Sequence, residues 1–244
     1  MVAVLDVADV SKRYGAKLVV DKVSLAVSTG ECLGIIGPNG AGKTTLFNLL
    51  DGSAQSDSGT VSVAGEDISR WPQYRRARLG VGRAYQVPRP FTGLTVYENV
   101  LAGIEHSPVA SARPGQRALE VLEKVGLADK RNMIAGRLPL LDRKRLELAK
   151  AVSVGSKVLL LDEVAGGLTE GEVFELVEMV IQLKREHAVL WIEHIAHALM
   201  AATDRLLVLH FGAKLIEGPP QEVMSAPIVK EVYLGISVDD AAGA

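Results

Sequence analysis

The run Gly37-Pro-Asn-Gly-Ala-Gly-Lys-Thr-Thr45 is an unbroken fit to G-x-x-x-x-G-K-[ST], with Gly37, Gly42, Lys43 and Thr44 in the fixed places. Glycines at 37, 40 and 42 carry no Cβ, so backbone N–H groups can close around a polyphosphate. Lys43 supplies a point charge for β- and γ-phosphates, and the Thr44 hydroxyl can ligand Mg²⁺. We take Gly37, Asn39, Gly40, Ala41, Gly42, Lys43, Thr44 and Thr45 as the nucleotide-binding residues of this loop. A second group, Leu159-Leu-Leu-Asp162-Glu163, ends an apolar run in two acids. Asp162 is placed to hold a Mg²⁺ shell and Glu163 to polarise an attacking water. Adjacent acids elsewhere often only cap a helix, a reading that recedes beside a phosphate loop.

Two further residues stand singly. His194 follows Val189–Ile192 and can contact a γ-phosphate from the end of a neighbouring strand, a packed or capping histidine being the ordinary alternative. Gln86 closes the run Leu79-Gly-Val-Gly-Arg-Ala-Tyr-Gln86 and can sense Mg²⁺ and the attacking water, although a glutamine there signals little by itself. His197 invites a metal reading, but no third ligand is evident.

The elements that must hold these groups follow from periodicity. Glu31–Ile36 reads as a short buried strand entering the loop, and Thr45–Leu50 opens a helix leaving it, so the anion meets a helix N-terminus. Val158–Leu161 and Val189–Ile192 are continuous apolar runs, the pattern of parallel strands buried on both faces. Glu170–Arg185 between them carries Val173, Val177, Val180 and Ile181 on one face and predicts an amphipathic helix. Val2–Val10, Ser24–Val27 and Thr60–Ala64 alternate and predict antiparallel strands. Asp51–Gly59 predicts a loop, and Arg205–Leu209 with Lys214–Ile216 a hairpin around Phe211-Gly212. Gln116–Val125 and Arg143–Val152 predict helices, which makes 88–156 a mostly helical insertion whose flexible tip is Ser107–Gly115. The tail from Val238 predicts disorder.

The chain has 244 residues, 48% of them hydrophobic, enough for one large domain with subdomains. Its net charge is −2, which argues against a nucleic-acid partner. Basic residues gather at Arg70–Arg83 and Arg143–Arg145, where a solvated surface is the default expectation. The single cysteine, Cys32, falls in a predicted strand and excludes an intrachain disulfide, as suits a reducing cytoplasm. No apolar run approaches the roughly 20 residues of a membrane span.

In this order the motifs resemble the ATP-binding-cassette (ABC) ATPases over nearly the whole chain. The resemblance implies a P-loop NTPase α/β core of the RecA-like kind (1–87 and 157–237) with an N-terminal antiparallel β subdomain, a helical subdomain (88–156) and a tail (238–244). It implies ATP and Mg²⁺ as cofactors. Tyr14 matches the aromatic that stacks on adenine, Thr44, Gln86 and Asp162 the metal-shell residues, Glu163 the catalytic glutamate and His194 the switch histidine. Ala84-Tyr-Gln86, Phe91-Thr-Gly-Leu-Thr-Val-Tyr-Glu-Asn-Val100, Leu161-Asp-Glu-Val164, Gly167-Leu-Thr169, Ile192-Glu-His194 and Val232-Tyr-Leu-Gly235 look like the branched-chain amino-acid importer ATPases. That subfamily implies an ATP-hydrolysing subunit peripheral to the cytoplasmic face of an inner membrane, working with permease subunits and, indirectly, a periplasmic binding protein. The lipopolysaccharide-export ATPases are a rival, and a non-hydrolysing regulatory module is an alternative of another class.

One segment departs from the pattern. Where the family carries Leu-Ser-Gly-Gly-Gln, this chain has Leu138-Pro-Leu-Leu-Asp142. Pro139 has neither hydroxyl nor N–H, Leu140 and Leu141 put Cβ atoms where close approach is needed, and Asp142 is expected to bring negative charge near a phosphate. Thr169 stands where many relatives have Asp. A poor γ-phosphate reader predicts a heterodimer with a second ABC ATPase subunit whose signature is intact.

Overall fold

The computed structural model describes residues 3–107 and 113–234. Strands β1 (Ala3–Tyr14) and β2 (Lys17–Ser28) form a hairpin that pairs Tyr14 with Lys17. Strand β3 (Cys32–Ile36), all five residues buried, runs into the glycine loop, and α1 (Lys43–Asp51) leaves it. After β4 (Ser58–Val63) and β5 (Glu66–Asp67) come α2 (Gln73–Leu79) and β6 (Val81–Ala84). Helices α3 (Val96–Glu105), α4 (Pro114–Lys124) and α5 (Leu140–Ser153) follow. The chain returns through β7 (Val158–Asp162), α6 (Glu170–Lys184), β8 (Ala188–Ile192) and α7 (Ala196–Ala202). It closes with β9 (Arg205–His210), β10 (Ala213–Gly218), α8 (Pro220–Ser225) and α9 (Pro227–Leu234).

Among the described residues these strands make two sheets. One is antiparallel in the order β2-β1-β4-β5; the other runs β10-β9-β3-β8-β7-β6, parallel except for β10. Side-chain alternation on the parallel strands separates two apolar layers. Leu160, Leu190, Leu33 and Ile35 pack with Leu46 and Phe47 of α1 and with the antiparallel sheet. Leu159, Leu161, Val189 and Trp191 face the other way, onto α6 and the interior of α3, α4 and α5. The sheet is thus the common wall on which phosphate loop and helical segment are mounted.

Local chemistry explains the element ends. Thr95 caps α3 and Thr169 caps α6, each in a reciprocal box with the glutamate three residues on. The altered position Thr169 is therefore a helix cap. The predicted elements over the sheets and over α4, α5 and α6 are present, most with boundaries moved by a few residues, but β2 begins at Lys17, seven residues before the predicted Ser24, and β1 runs on to Tyr14. Three expectations are corrected. Arg76, on helix α2, is buried, against the solvated surface expected of the basic stretch. Pro114 and Gly115 belong to α4 rather than to a flexible tip. Leu140–Asp142 form the first turn of α5, one turn earlier than expected. The tail from 238 and residues 108–112 of the predicted tip lie outside the described residues. No helix among them is long and apolar enough to cross a membrane.

Candidate nucleotide site

The glycine loop is shaped by its contacts with β2 and β9. A Cβ on Gly37 would lie 2.2 Å from the Leu209 carbonyl oxygen, and one on Gly42 would lie 2.4 Å from that of Val19. Gly42 also sits at φ 102°, in the left-handed region, at the start of α1. Lys43 folds back on the loop, its ammonium donating to the carbonyls of Gly37 at 2.6 Å and Pro38 at 3.2 Å. Burial lowers the Lys43 pKa from the ordinary lysine value, against the opposing pull of Glu163 and Asp162. Asn39, Gly40, Ala41, Gly42, Lys43, Thr44 and Thr45 line a cavity of about 240 Å³ with Glu163, Lys17 and Val19.

Asp162 and Glu163 end β7 with different surroundings. Asp162 is buried and accepts from Arg83 Nη2 at 2.7 Å. Glu163 stands at φ 47°, a left-handed backbone rarely adopted without glycine, and its N–H donates to Ile192 O at 2.8 Å. The neighbouring strand β8 thus helps hold the turn that aims Glu163 into the cavity. Gln86 Nε2 donates to Glu163 Oε2 at 2.5 Å. Gln86 lines a second cavity, of about 490 Å³, with Thr44 and Asp162.

His194 follows β8 with its ring largely exposed, and Glu193 holds it. The buried Glu193 carboxylate accepts from the His194 N–H at 2.9 Å and lies 3.3 Å from His194 Nδ1, while its other oxygen accepts from Ala165 N–H at 3.1 Å. His194 lines neither cavity. Tyr14 does not line them either; it is half exposed at the hairpin end, with Lys12 Nζ 5.4 Å from its ring centroid.

Several charges expected at the surface are inside. Arg76 is 1% exposed and donates to the carbonyls of Leu49, Leu50, Ser69 and Trp71, closing the C-terminal end of α1. Arg83 binds Asn48 and Asp51 as well as Asp162, and Lys144 is 2% exposed. Asp142 is also turned inward, paired with Lys130 and Arg145, so it brings no free charge to a phosphate. Leu141 is buried, and of this segment only Pro139 and Leu140 face outward. Arg83, Lys144 and Glu193 were not expected among functional residues. Each is a charge within or beside a buried run, which demands a partner and was the available signal.

A glycine loop between a buried strand and a helix, with an acidic pair two strands away, defines a P-loop nucleotide-binding protein. The family model described as ABC transporter matches residues 20–166. The chain belongs to the ABC transporter family, as one of its ATP-binding cassettes. It is 36% identical to the high-affinity branched-chain amino acid transport ATP-binding protein BraF of Pseudomonas aeruginosa, covering 95% of this chain and 98% of BraF. It is 35% identical to LivG of Escherichia coli, also a high-affinity branched-chain amino acid transport ATP-binding protein, over 95% and 97% of the two chains. Identity to the lipopolysaccharide export system ATP-binding protein LptB of Acidithiobacillus ferridurans is 34%, over 96% and 98%. The crystal structure of the ADP conformation of MJ1267, an ATP-binding cassette of an ABC transporter, superposes with a TM-score of 0.88 at 29% identity, over 97% of this chain and all of that one.

Proposed function

We propose that this chain hydrolyses ATP with Glu163 as the base, as the motor subunit of an importer for branched-chain amino acids or similar small hydrophobic compounds. The observation that carries the chemistry is the placement of Glu163, in a left-handed turn facing the Lys43 loop and hydrogen-bonded by Gln86. Thr44, Gln86 and Asp162 line one cavity, and their oxygens suit a hard cation that keeps water and phosphate in its shell. Mg²⁺ held there would supply neutralisation of the phosphate charge. Lys43 and the loop N–H groups bind phosphate, Gln86 and Glu163 orient water, and His194 contacts the γ-phosphate once a partner closes the site. Tyr14 stacks on adenine. Residues 88–156 act as the helical subdomain, 1–87 with 157–237 as the ATP-binding core.

The names of BraF and LivG, branched-chain amino acid transport ATP-binding proteins, support the amino-acid transport reading. In this reading the chain sits peripherally at the cytoplasmic face of an inner membrane, working with permease subunits and, indirectly, a periplasmic binding protein. The similarity to LptB supports an exporter as the second reading. Loss of labelled leucine uptake on deletion of this chain separates the two. Glu163→Gln tests the chemistry: ATP still binds while turnover falls by orders of magnitude. Turnover within a few-fold of wild type would remove Glu163 from the catalytic role.

A further inference from the structure

Helix α5 grips the main chain of the Gln86 loop at three points. The Lys144 ammonium donates to the Gln86 carbonyl at 2.5 Å. Glu147 Oε2 accepts from the Arg89 N–H at 3.0 Å, and the Lys150 ammonium donates to the Arg89 carbonyl at 2.6 Å. Asn99 of α3 closes the far end, accepting from the Phe91 N–H at 2.8 Å and donating to the Phe91 carbonyl at 3.1 Å. Residues 85–91 lie in no helix or strand, so side chains from two helices hold this backbone.

Lys144 also lies in the field of the site's acids. Burial lowers its pKa, and the charges of Glu193, Glu147 and Glu163 oppose that shift. Glu193 in turn holds His194, and Glu163 is bonded by the side chain of the same Gln86 whose carbonyl Lys144 binds. The helix carrying this lysine begins at Leu140, immediately after the outward-facing Pro139. Lys144 lies about 6 Å along the axis from Leu140, little more than one turn of a stiff rod. A push on the N-terminal end of α5 therefore arrives at Gln86 without passing through any flexible segment.

We propose that Lys144 is a positioning residue: it couples the place of α5 to the place of Gln86 and so of Glu163, with Glu147 and Lys150 completing the grip. A partner seated on Pro139 and Leu140 then sets the geometry of this chain's own base. The inference rests on the hydrolytic role proposed for Glu163.

The experiment uses the full chain, with its partner subunit present, in the variants Lys144→Met, Lys144→Arg, Glu147→Gln, Lys150→Ala and Glu163→Gln. It measures Kd for Mg-ATP, kcat, and amide hydrogen exchange across residues 84–91. Lys144→Met is expected to lower kcat about ten-fold or more while Kd stays within about two-fold, a split that marks a change confined to the transition state. Lys144→Arg is expected to recover most of kcat. Glu147→Gln and Lys150→Ala speed exchange at Arg89 and lower kcat by a few-fold. A lysine that merely fills the interior would lower stability and leave kcat of the folded protein unchanged. Wild-type kcat and exchange in folded Lys144→Met would overturn the proposal. Should that variant not fold, unchanged exchange at Arg89 and unchanged kcat in the partly exposed Lys150→Ala would do so. Wild-type turnover by Glu163→Gln would instead sink the catalytic reading, while exchange across 84–91 still reports on the grip.

Discussion

The guanidinium of Arg83 lies between two buried carboxylates, Nη2 donating to Asp162 and Nη1 to Asp51, each at 2.7 Å. It thereby ties the end of β7 to the end of α1. Burial is the largest single influence and opposes its charge, yet the hydrogen bonds and charges of Asp51 and Asp162 together hold its pKa above the ordinary arginine value. Arg83→Met strands two buried acids, and we expect a loss of about 3–5 kcal/mol in urea denaturation. Adding Asp51→Asn should recover part of it. A loss under about 1 kcal/mol would mean that water, not Arg83, compensates these acids.

Lys43→Ala removes the only ammonium within the glycine loop, and nothing else there replaces it against the β- and γ-phosphates. Titration with a fluorescent ATP analogue should show binding abolished. Tyr14→Ala is the graded companion, weakening binding by about 1–2 kcal/mol if the ring stacks on adenine. Wild-type affinity in the first variant would undo the loop's assignment, and in the second would leave Tyr14 an ordinary surface residue.

Pro139 and Leu140 offer no hydroxyl and little free N–H to a phosphate held by another subunit. Purified alone, the chain should bind ATP and hydrolyse it slowly, and a second cassette with an intact signature should raise turnover strongly. Mutating that partner's signature serine should then cost far more than Pro139→Ser here. Fast, cooperative hydrolysis by this chain alone would contradict the asymmetry.

His187 is buried, and burial holds its pKa below the ordinary histidine value, against the opposing pull of the Ser156 carbonyl and Glu186. Its Nδ1 lies 2.8 Å from the Ser156 carbonyl oxygen, which assigns the proton to Nδ1 in the neutral ring. Below about pH 6.5 the unfolded chain takes up a proton that the folded ring still refuses, so folding loses stability as pH falls toward the folded pKa. Above that window the stabilisation is complete. Urea midpoints at about pH 7.5 and about pH 5.5 should therefore differ more in wild type than in His187→Gln. Equal differences would show that His187 does not titrate in this window.

The glycine loop, the Asp162-Glu163 pair and the central strands were legible because each is local: a fixed spacing, or an apolar run buried on both faces. Side-chain direction was not. Arg76, Arg83 and Lys144 sit in stretches read as solvated, because whether a charge is buried depends on the partner that the fold brings to it. Arg76 needed the carbonyl ends of α1, 26 and 27 residues away, and Arg83 needed Asp162, 79 residues away. Asp142 was expected to face a phosphate, and the rotation of α5 takes it to Lys130 instead. The left-handed Glu163 left no trace in residue type, since its backbone is imposed by β8.

Leu141 and Asp142 are enclosed in the fold, one buried and the other ion-paired to Lys130 and Arg145. Replacing Leu141 by glycine would free a backbone for phosphate and at the same time hollow the site, at a cost on the order of 2–5 kcal/mol. Asp142→Gln would leave Lys130 without its carboxylate partner and Arg145 with Glu175 alone. A route back to a phosphate-reading segment therefore crosses poorly folded sequences. If this chain works beside an unlike cassette, that division of labour would be difficult to reverse one substitution at a time.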